Sequence, residues 1–167
     1  MDECSINLAM TRLYGWGERH VRVEDYVPDV RFERSSVLSV VCLSGVGASV
    51  SFNETLNGEL FALYVKYVLA PILNAGDVVL LDSLSSHKAE GFWILFMSGA
   101  FVWFLPVYSP DFNPIELVWS KMKAVLRKLE ARTTKDTRKA LKRASDAITL
   151  MDIKNWFSHN GYRTISI

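Results

Sequence analysis

The sequence predicts a single α/β domain spanning residues 1–167, in which a mixed β-sheet carries helices on both faces. Three observations support this: a β-rich first third, an alternation of helical and strand-like segments after it, and a helical final third. The chain has 167 residues, of which 50% are hydrophobic, so it can bury one sizeable core. Aromatic residues make up 12% of the chain, which argues against a disordered protein.

The first third contains three segments typical of β-strands. "HVRVEDYV" (20–27) alternates apolar and polar residues, which predicts a half-buried strand. "SSVLSVVCLSG" (35–45) and "ASVSFNE" (48–54) are two further β-rich runs, and "SGVG" (44–47) between them suits a hairpin turn. We therefore expect an antiparallel meander, with Asp2 in the first strand of the chain.

Helical and strand-like segments alternate from residue 57 onward. "NGELFALYVKYVLAPIL" (57–73) has helical spacing with Asn57 as a possible N-cap, and "DVVLLD" (77–82) has the continuous apolar pattern of a buried parallel strand. A helix from about 86 to 97 and the strand "FVWFL" (101–105) complete a β-α-β unit. Residues 113–160 are predicted to be mostly helical, with a proline at 114 in the first turn.

Charge is unevenly distributed although the formal net charge is only +1. Between Trp119 and Arg143 there are ten Lys or Arg residues and two acids. This excess indicates a polyanion partner, and a solvated helical surface explains it equally well. Two cysteines are too few for a disulfide framework, which favours a cytoplasmic location. The most apolar run (92–105) is too short to span a bilayer, so no membrane association is expected.

Two carboxylates, Asp82 and Glu116, occupy positions where functional sites form. Asp82 closes the predicted parallel strand, and sites in open α/β sheets lie at the carboxyl ends of such strands. It could equally begin a turn or cap a helix. Glu116 lies near a helix start, where an acid either complements the helix dipole or ligates a metal. Together with Asp2, they would form a set of hard oxygen ligands suited to Mg²⁺ or Mn²⁺.

Three blocks of the sequence carry a family resemblance. "MDECSINLAMTRLYGWG" (1–17), "LLDSLSSHKA" (80–89) and "FLPVYSPDFNPIELVWSKMKAVLRK" (104–128) resemble the signature blocks of the DDE superfamily endonuclease domain, as found in bacterial insertion-sequence transposases related to the Tc/mariner group. The blocks occur in family order, and 33 residues separate Asp82 from Glu116, which is within the family's range.

The resemblance implies a ribonuclease-H-like fold, a mixed five-stranded sheet flanked by helices. It also implies that Asp2, Asp82 and Glu116 are the catalytic metal ligands for Mg²⁺ or Mn²⁺, as two ions. The activity would be DNA strand cleavage and strand transfer at transposon ends, by a homodimer or a larger transpososome acting in the bacterial cytoplasm.

Other positions match the family less directly. His87 and Lys88 match a basic pair that could contact the scissile phosphate, or they are surface residues. Asn113 matches the loop before the third acid and is expected to cap the following helix. On that helix, Trp119 is expected in the core, with stacking on DNA as the alternative. The residues expected to contact DNA are basic: Arg12, Lys121, Lys123, Arg127 and Lys128. The positive stretch expected to bind duplex DNA continues through Arg132, Lys135, Arg138, Lys139, Lys142 and Arg143.

The chain also departs from the family pattern. Ser83 stands where the family has Asn, which weakens support for Asp82 or for the substrate. The chain begins one residue before Asp2. The helix-turn-helix region that reads transposon ends, and most of the N-terminal half of the first strand, are therefore expected to be absent, which would expose strand edges. The alternative function is therefore a catalytically silent remnant that binds DNA or a full-length transposase.

Overall fold

We analysed a computed structural model, which describes residues 1–7, 9–28, 34–82 and 89–163, apart from the side chains of 89 and 90. Ser83, His87 and Lys88 lie outside the described residues. The chain begins with an antiparallel meander of three strands. These are β1 (Asp2–Asn7), β2 (Arg34–Cys42) and β3 (Gly45–Phe52). The predicted hairpin between β2 and β3 is confirmed, and Cys42 pairs with Gly45 across a two-residue turn.

The segment 20–27 is not a strand, so this prediction is wrong. Its large side chains are exposed, including Tyr26 at 93%. The side chain of Val23 instead packs against Gly15 and Gly17, where it occupies the space that a β-carbon would need. Alternation of apolar and polar residues produces a strand only where the segment pairs with another, and 20–27 pairs with no strand in the described part of the chain.

A helical region and a parallel strand pair follow the meander. The helix α1 (Gly58–Tyr64) begins at Asn57, whose side-chain oxygen accepts the backbone N–H of Leu60 at 2.9 Å, which confirms the predicted cap. The helical path continues through a π-helical segment to residue 69 and a 3₁₀ turn to residue 72. The strands β4 (Val78–Leu81) and β5 (Phe101–Phe104) pair in parallel, with α2 (Ala89–Met97) between them.

Three helices complete the described part of the chain: α3 (Ile115–Leu129), α4 (Thr134–Asp146) and α5 (Leu150–His159). Two apolar clusters place helices on both faces of the sheet. The first joins α1 and α2 to β4 through residues such as Phe61 and Leu95, and the second joins α3 and α4 to β1 through residues such as Ile6 and Val118. No helix within the described ranges is both long and apolar enough to cross a membrane.

The five strands described here form two hydrogen-bonded sheets, of three and two strands, rather than one continuous sheet. The N-terminal ammonium of Met1 links them by donating to the Leu80 carbonyl at 3.0 Å, and burial lowers the pKa of this amine to about 6. A groove of about 540 Å³ lies beside this contact, between the end of β2 and the start of β4. Met1 is buried, so the beginning of β1 is packed rather than frayed in this structure.

Gly91 of α2 allows close packing on α1. A β-carbon at this position would lie 2.5 Å from two ring atoms of Phe61, which is fully buried and cannot easily move aside. We expect Gly91→Ala to lower the free energy of unfolding by about 1–3 kcal/mol, because overpacking forces side chains out of their rotamers. Urea denaturation measures this change. Gly47→Ala is the matched control, since a β-carbon there meets nothing within 4 Å. Equal stability of Gly91→Ala and wild type would contradict this packing.

Candidate active site

Asp82 and Glu116 line one cleft of about 360 Å³. Asp82 directly follows β4, at the carboxyl end of the parallel pair, and Glu116 occupies the first turn of α3. The remaining wall of the cleft is formed by the end of β5 and the loop before α3, residues Leu105, Pro106, Val107, Tyr108, Ser109, Pro110 and Asn113. The elements that the sequence assigned to these two carboxylates therefore bring them to the same opening.

The loop before Glu116 is held by the end of the chain's last described helix. The side-chain amide of Asn160 donates to the carbonyl of Asp111, and the hydroxyl of Tyr162 donates to the carbonyl of Phe112 at 2.6 Å. These contacts fix the 3₁₀ turn at Pro110–Phe112 from about fifty residues away. Asn160 and Tyr162 cannot be identified from the sequence, because nothing in the pattern around them indicates their partners.

Asn113 does not cap α3 with its side chain, so this prediction is wrong. The helix has Pro114 at its N-cap and no side-chain cap hydrogen bond, and only the Asn113 carbonyl joins the helix start, by accepting the Glu116 N–H at 3.1 Å. Asn113 is buried at the cleft wall instead. The ring of Pro114 favours the helical φ of −57° that this residue adopts, so the chain already turns into α3 at Pro114.

Asp2 lies on the face of β1 that packs against α3, the face it shares with Cys4 and Ile6. Its carboxylate accepts a hydrogen bond from the indole N–H of Trp119 at 3.0 Å. Asp2 and Asp82 both line a smaller cavity of about 100 Å³. Asp82 thus borders both cavities, with Glu116 on one side and Asp2 on the other.

The carboxylates affect one another electrostatically. Burial raises the pKa of Asp2; hydrogen bonds from the Glu3 backbone and Trp119 oppose this shift, and the charge of Asp82 adds to it. The pKa of Glu116 is also raised, first by desolvation and then by the charge of Asp2, with Lys123 opposing and Asp82 reinforcing the shift. Asp2 and Glu116 are therefore close enough to neighbouring carboxylates for repulsion to contribute to the rise in their pKa values.

A divalent cation fits this donor set in its chemistry, because three carboxylates that repel one another supply hard oxygen ligands and gain from a positive charge between them. Among the described residues, no three His, Cys, Asp or Glu side chains already lie close enough together to hold a metal ion. Binding would therefore require the carboxylates to draw closer. Glu116 can do so, since its side chain is exposed in the first turn of α3.

The basic residues expected to contact DNA differ in their surroundings. Lys121 pairs with Asp152 of α5 at 2.6 Å, and Lys123 lies beside Cys4, where it opposes the rise in the pKa of that thiol caused by burial. Arg127 is half-buried, while Lys128 and Arg12 are exposed. On α3, only part of the predicted DNA-binding set therefore faces solvent.

The exposed positive charge is concentrated on one face of α4, which we call the basic face. Its five members are all exposed and recur at intervals of three and four residues: Lys135, Arg138, Lys139, Lys142 and Arg143. The opposite face packs on α3 through Thr137, Ala140 and Ala144. This spacing places all five cations along one side of the helix. All five belong to the positive stretch that the sequence predicts to bind DNA.

Comparison with known proteins places the chain in a family. A family model described as DDE superfamily endonuclease matches residues 1–139. Among solved structures, the chain is similar to the Mos1 transposase paired-end complex with left transposon end, with a TM-score of 0.72, 17% identity, and 96% of this chain and 55% of that chain covered. It is also similar to the Mos1 strand transfer complex, with a TM-score of 0.69, 19% identity, and 97% and 54% covered.

The chain thus spans a little over half the length of these Mos1 chains. A search of curated proteins gives no match. The structural likeness confirms the expected ribonuclease-H-like α/β fold. Endonucleases of this superfamily generally depend on divalent metal ions. Because the family model covers most of the chain, this protein belongs to the DDE superfamily endonuclease family.

Proposed function

We propose that residues 1–167 form a single transposase catalytic domain that cleaves DNA strands and transfers them at transposon ends. The observation that carries this proposal is the cleft shared by Asp82 and Glu116, with Asp2 across Asp82 from it. The same region receives one acid from the end of β4, one from the start of α3 and one from β1. Three coupled carboxylates beside a basic helix suit chemistry on a phosphodiester, which is itself a polyanion substrate.

Asp2, Asp82 and Glu116 would hold two divalent ions, Mg²⁺ or Mn²⁺. Bound there, the ions would supply activation of a water or a 3′-hydroxyl and stabilisation of the leaving oxygen. The protein would provide the positions of the three acids and the orientation of the DNA. Tyr108 is exposed at the rim of the cleft and would contact a bound strand. Asn113 is buried in the cleft wall and would support Glu116.

The basic face of α4 would bind the DNA backbone. Its five exposed cations can each neutralise a phosphate, and such contacts hold a duplex without reading its sequence. Arg12, Lys123, Arg127 and Lys128 would add to this surface, whereas Lys121 is engaged by Asp152. The similar Mos1 structures are a paired-end complex with a transposon end and a strand transfer complex, which supports DNA as the partner of this domain. Assembly into a homodimer or a larger transpososome in the cytoplasm is part of the same proposal.

A second function is a catalytically silent domain that keeps the fold and the DNA contact. Within the described ranges, no three His, Cys, Asp or Glu side chains lie close enough together to share a metal ion, and this observation favours the silent domain. In that case the basic face would still bind DNA, but no cleavage would occur.

Supercoiled plasmid separates the two functions. The purified wild-type protein should convert it slowly to the nicked form in Mg²⁺ or Mn²⁺, with little sequence preference, and EDTA should stop the conversion because the acids alone cannot activate a nucleophile. Gel electrophoresis of timed samples measures the rate. Binding of the plasmid without metal-dependent nicking would establish the silent domain instead.

A further inference from the structure

Trp119 connects the helix that carries Glu116 to the strand that carries Asp2. It is 3% exposed and follows Glu116 by three residues on α3, so the two side chains leave the same side of the helix. Its indole N–H reaches Asp2 Oδ2 at 3.0 Å across 117 residues of sequence. A buried core tryptophan was expected at this position, and the structure shows in addition that its polar atom is directed at a candidate metal ligand.

This hydrogen bond restricts the orientation of the Asp2 carboxylate. Asp2 sits within β1, where its neighbours Cys4 and Ile6 are packed against α3, and the indole holds one of its two carboxylate oxygens. A hydrogen bond from an N–H to a carboxylate is stronger than one between neutral groups, and it sets the orientation of the carboxylate. Glu116, in contrast, is exposed at the start of α3.

We propose that Trp119 is a positioning residue, which orients the Asp2 carboxylate so that a divalent cation can be shared with Asp82 and Glu116. This inference rests on the proposed function. The indole would not touch the substrate; it would hold the Asp2 carboxylate in the orientation needed to bind the ion. A carboxylate that is free to rotate would bind the ion more weakly, as is usual when the partner of a metal ligand is removed.

Mn²⁺ binding tests the proposal without relying on activity. Trp119→Phe keeps an aromatic ring in the core and removes only the N–H donor, and it should weaken Mn²⁺ binding by about 10- to 100-fold, as measured by titration calorimetry. Trp156→Phe is the matched control, because Trp156 packs on the same apolar cluster and should leave the affinity unchanged. Equal Mn²⁺ affinity in Trp119→Phe and wild type would overturn the proposal.

A second measurement uses the wild-type protein and does not depend on the stability of any variant. In a ¹⁵N-labelled sample, the indole N–H signal of Trp119 should shift when Mg²⁺ is added, because its acceptor becomes a metal ligand. An unchanged indole signal in protein that binds Mg²⁺ would overturn the role of Trp119 and leave the proposed function intact. Absence of any Mn²⁺ or Mg²⁺ binding by the wild type would overturn both.

Discussion

Alanine at position 82 or 116 should reduce the rate of metal-dependent plasmid nicking by roughly 100- to 1000-fold. Loss of a bound ion removes several kcal/mol of transition-state stabilisation, and each ~1.4 kcal/mol changes the rate tenfold. The two acids line the same cleft, and Asp82 also borders the cavity beside Asp2. Either substitution would therefore leave the remaining acids too few to hold the ions. Nicking rates on supercoiled plasmid, with wild type and variants purified in parallel, measure the effect.

Controls separate loss of chemistry from loss of fold. Asp82→Asn and Glu116→Gln keep the size of each side chain and remove its charge, so they should lose nicking while retaining the thermal unfolding midpoint of the wild type. Glu24→Ala is the matched control, since Glu24 is an exposed acid outside the candidate site. If wild type and all variants nick equally, the nicking comes from a contaminant, and the silent-domain function is correct.

Neutralising cations on the basic face of α4 should have the second large effect, which is on DNA affinity and its salt dependence. The five phosphate contacts of the basic face contribute about −4.5 to the log–log salt slope, so DNA affinity should fall by at least roughly 500-fold between about 50 and 200 mM salt. Replacing Lys139 and Lys142 with glutamine should make the slope less steep by about 1.8, because two counterion-releasing contacts are lost. Filter binding at several salt concentrations gives the slope directly.

The matched control changes the same number of charges elsewhere. Lys66 and Lys154 are exposed lysines on other parts of the surface, and replacing both with glutamine should leave the salt slope unchanged. A flat salt response in the wild type would show that the basic face is only a solvated helix surface. Equal slopes for the two double variants would show that DNA binds another surface, such as the one containing Arg12 and Lys128.

The order of strands and helices was predictable because it depends on local patterns. Apolar residues at helical spacing identified the helix at Gly58–Tyr64, and the continuous apolar run before Asp82 identified a parallel strand. The segment 20–27 shows the limit of this approach, since it has a strand pattern and lies exposed outside any sheet. A strand requires a partner, and pattern alone does not supply one.

For the candidate site, the sequence by itself determined which acids to consider and which elements carry them, because strand ends and helix starts can be read from neighbouring residues. Tertiary structure alone decided what each side chain contacts. The Trp119–Asp2 hydrogen bond, the Lys121–Asp152 pair and the Asn160–Asp111 contact each join residues at least thirty positions apart. Such partners are selected by how helices and strands pack together, and that packing depends on the whole core rather than on any local pattern.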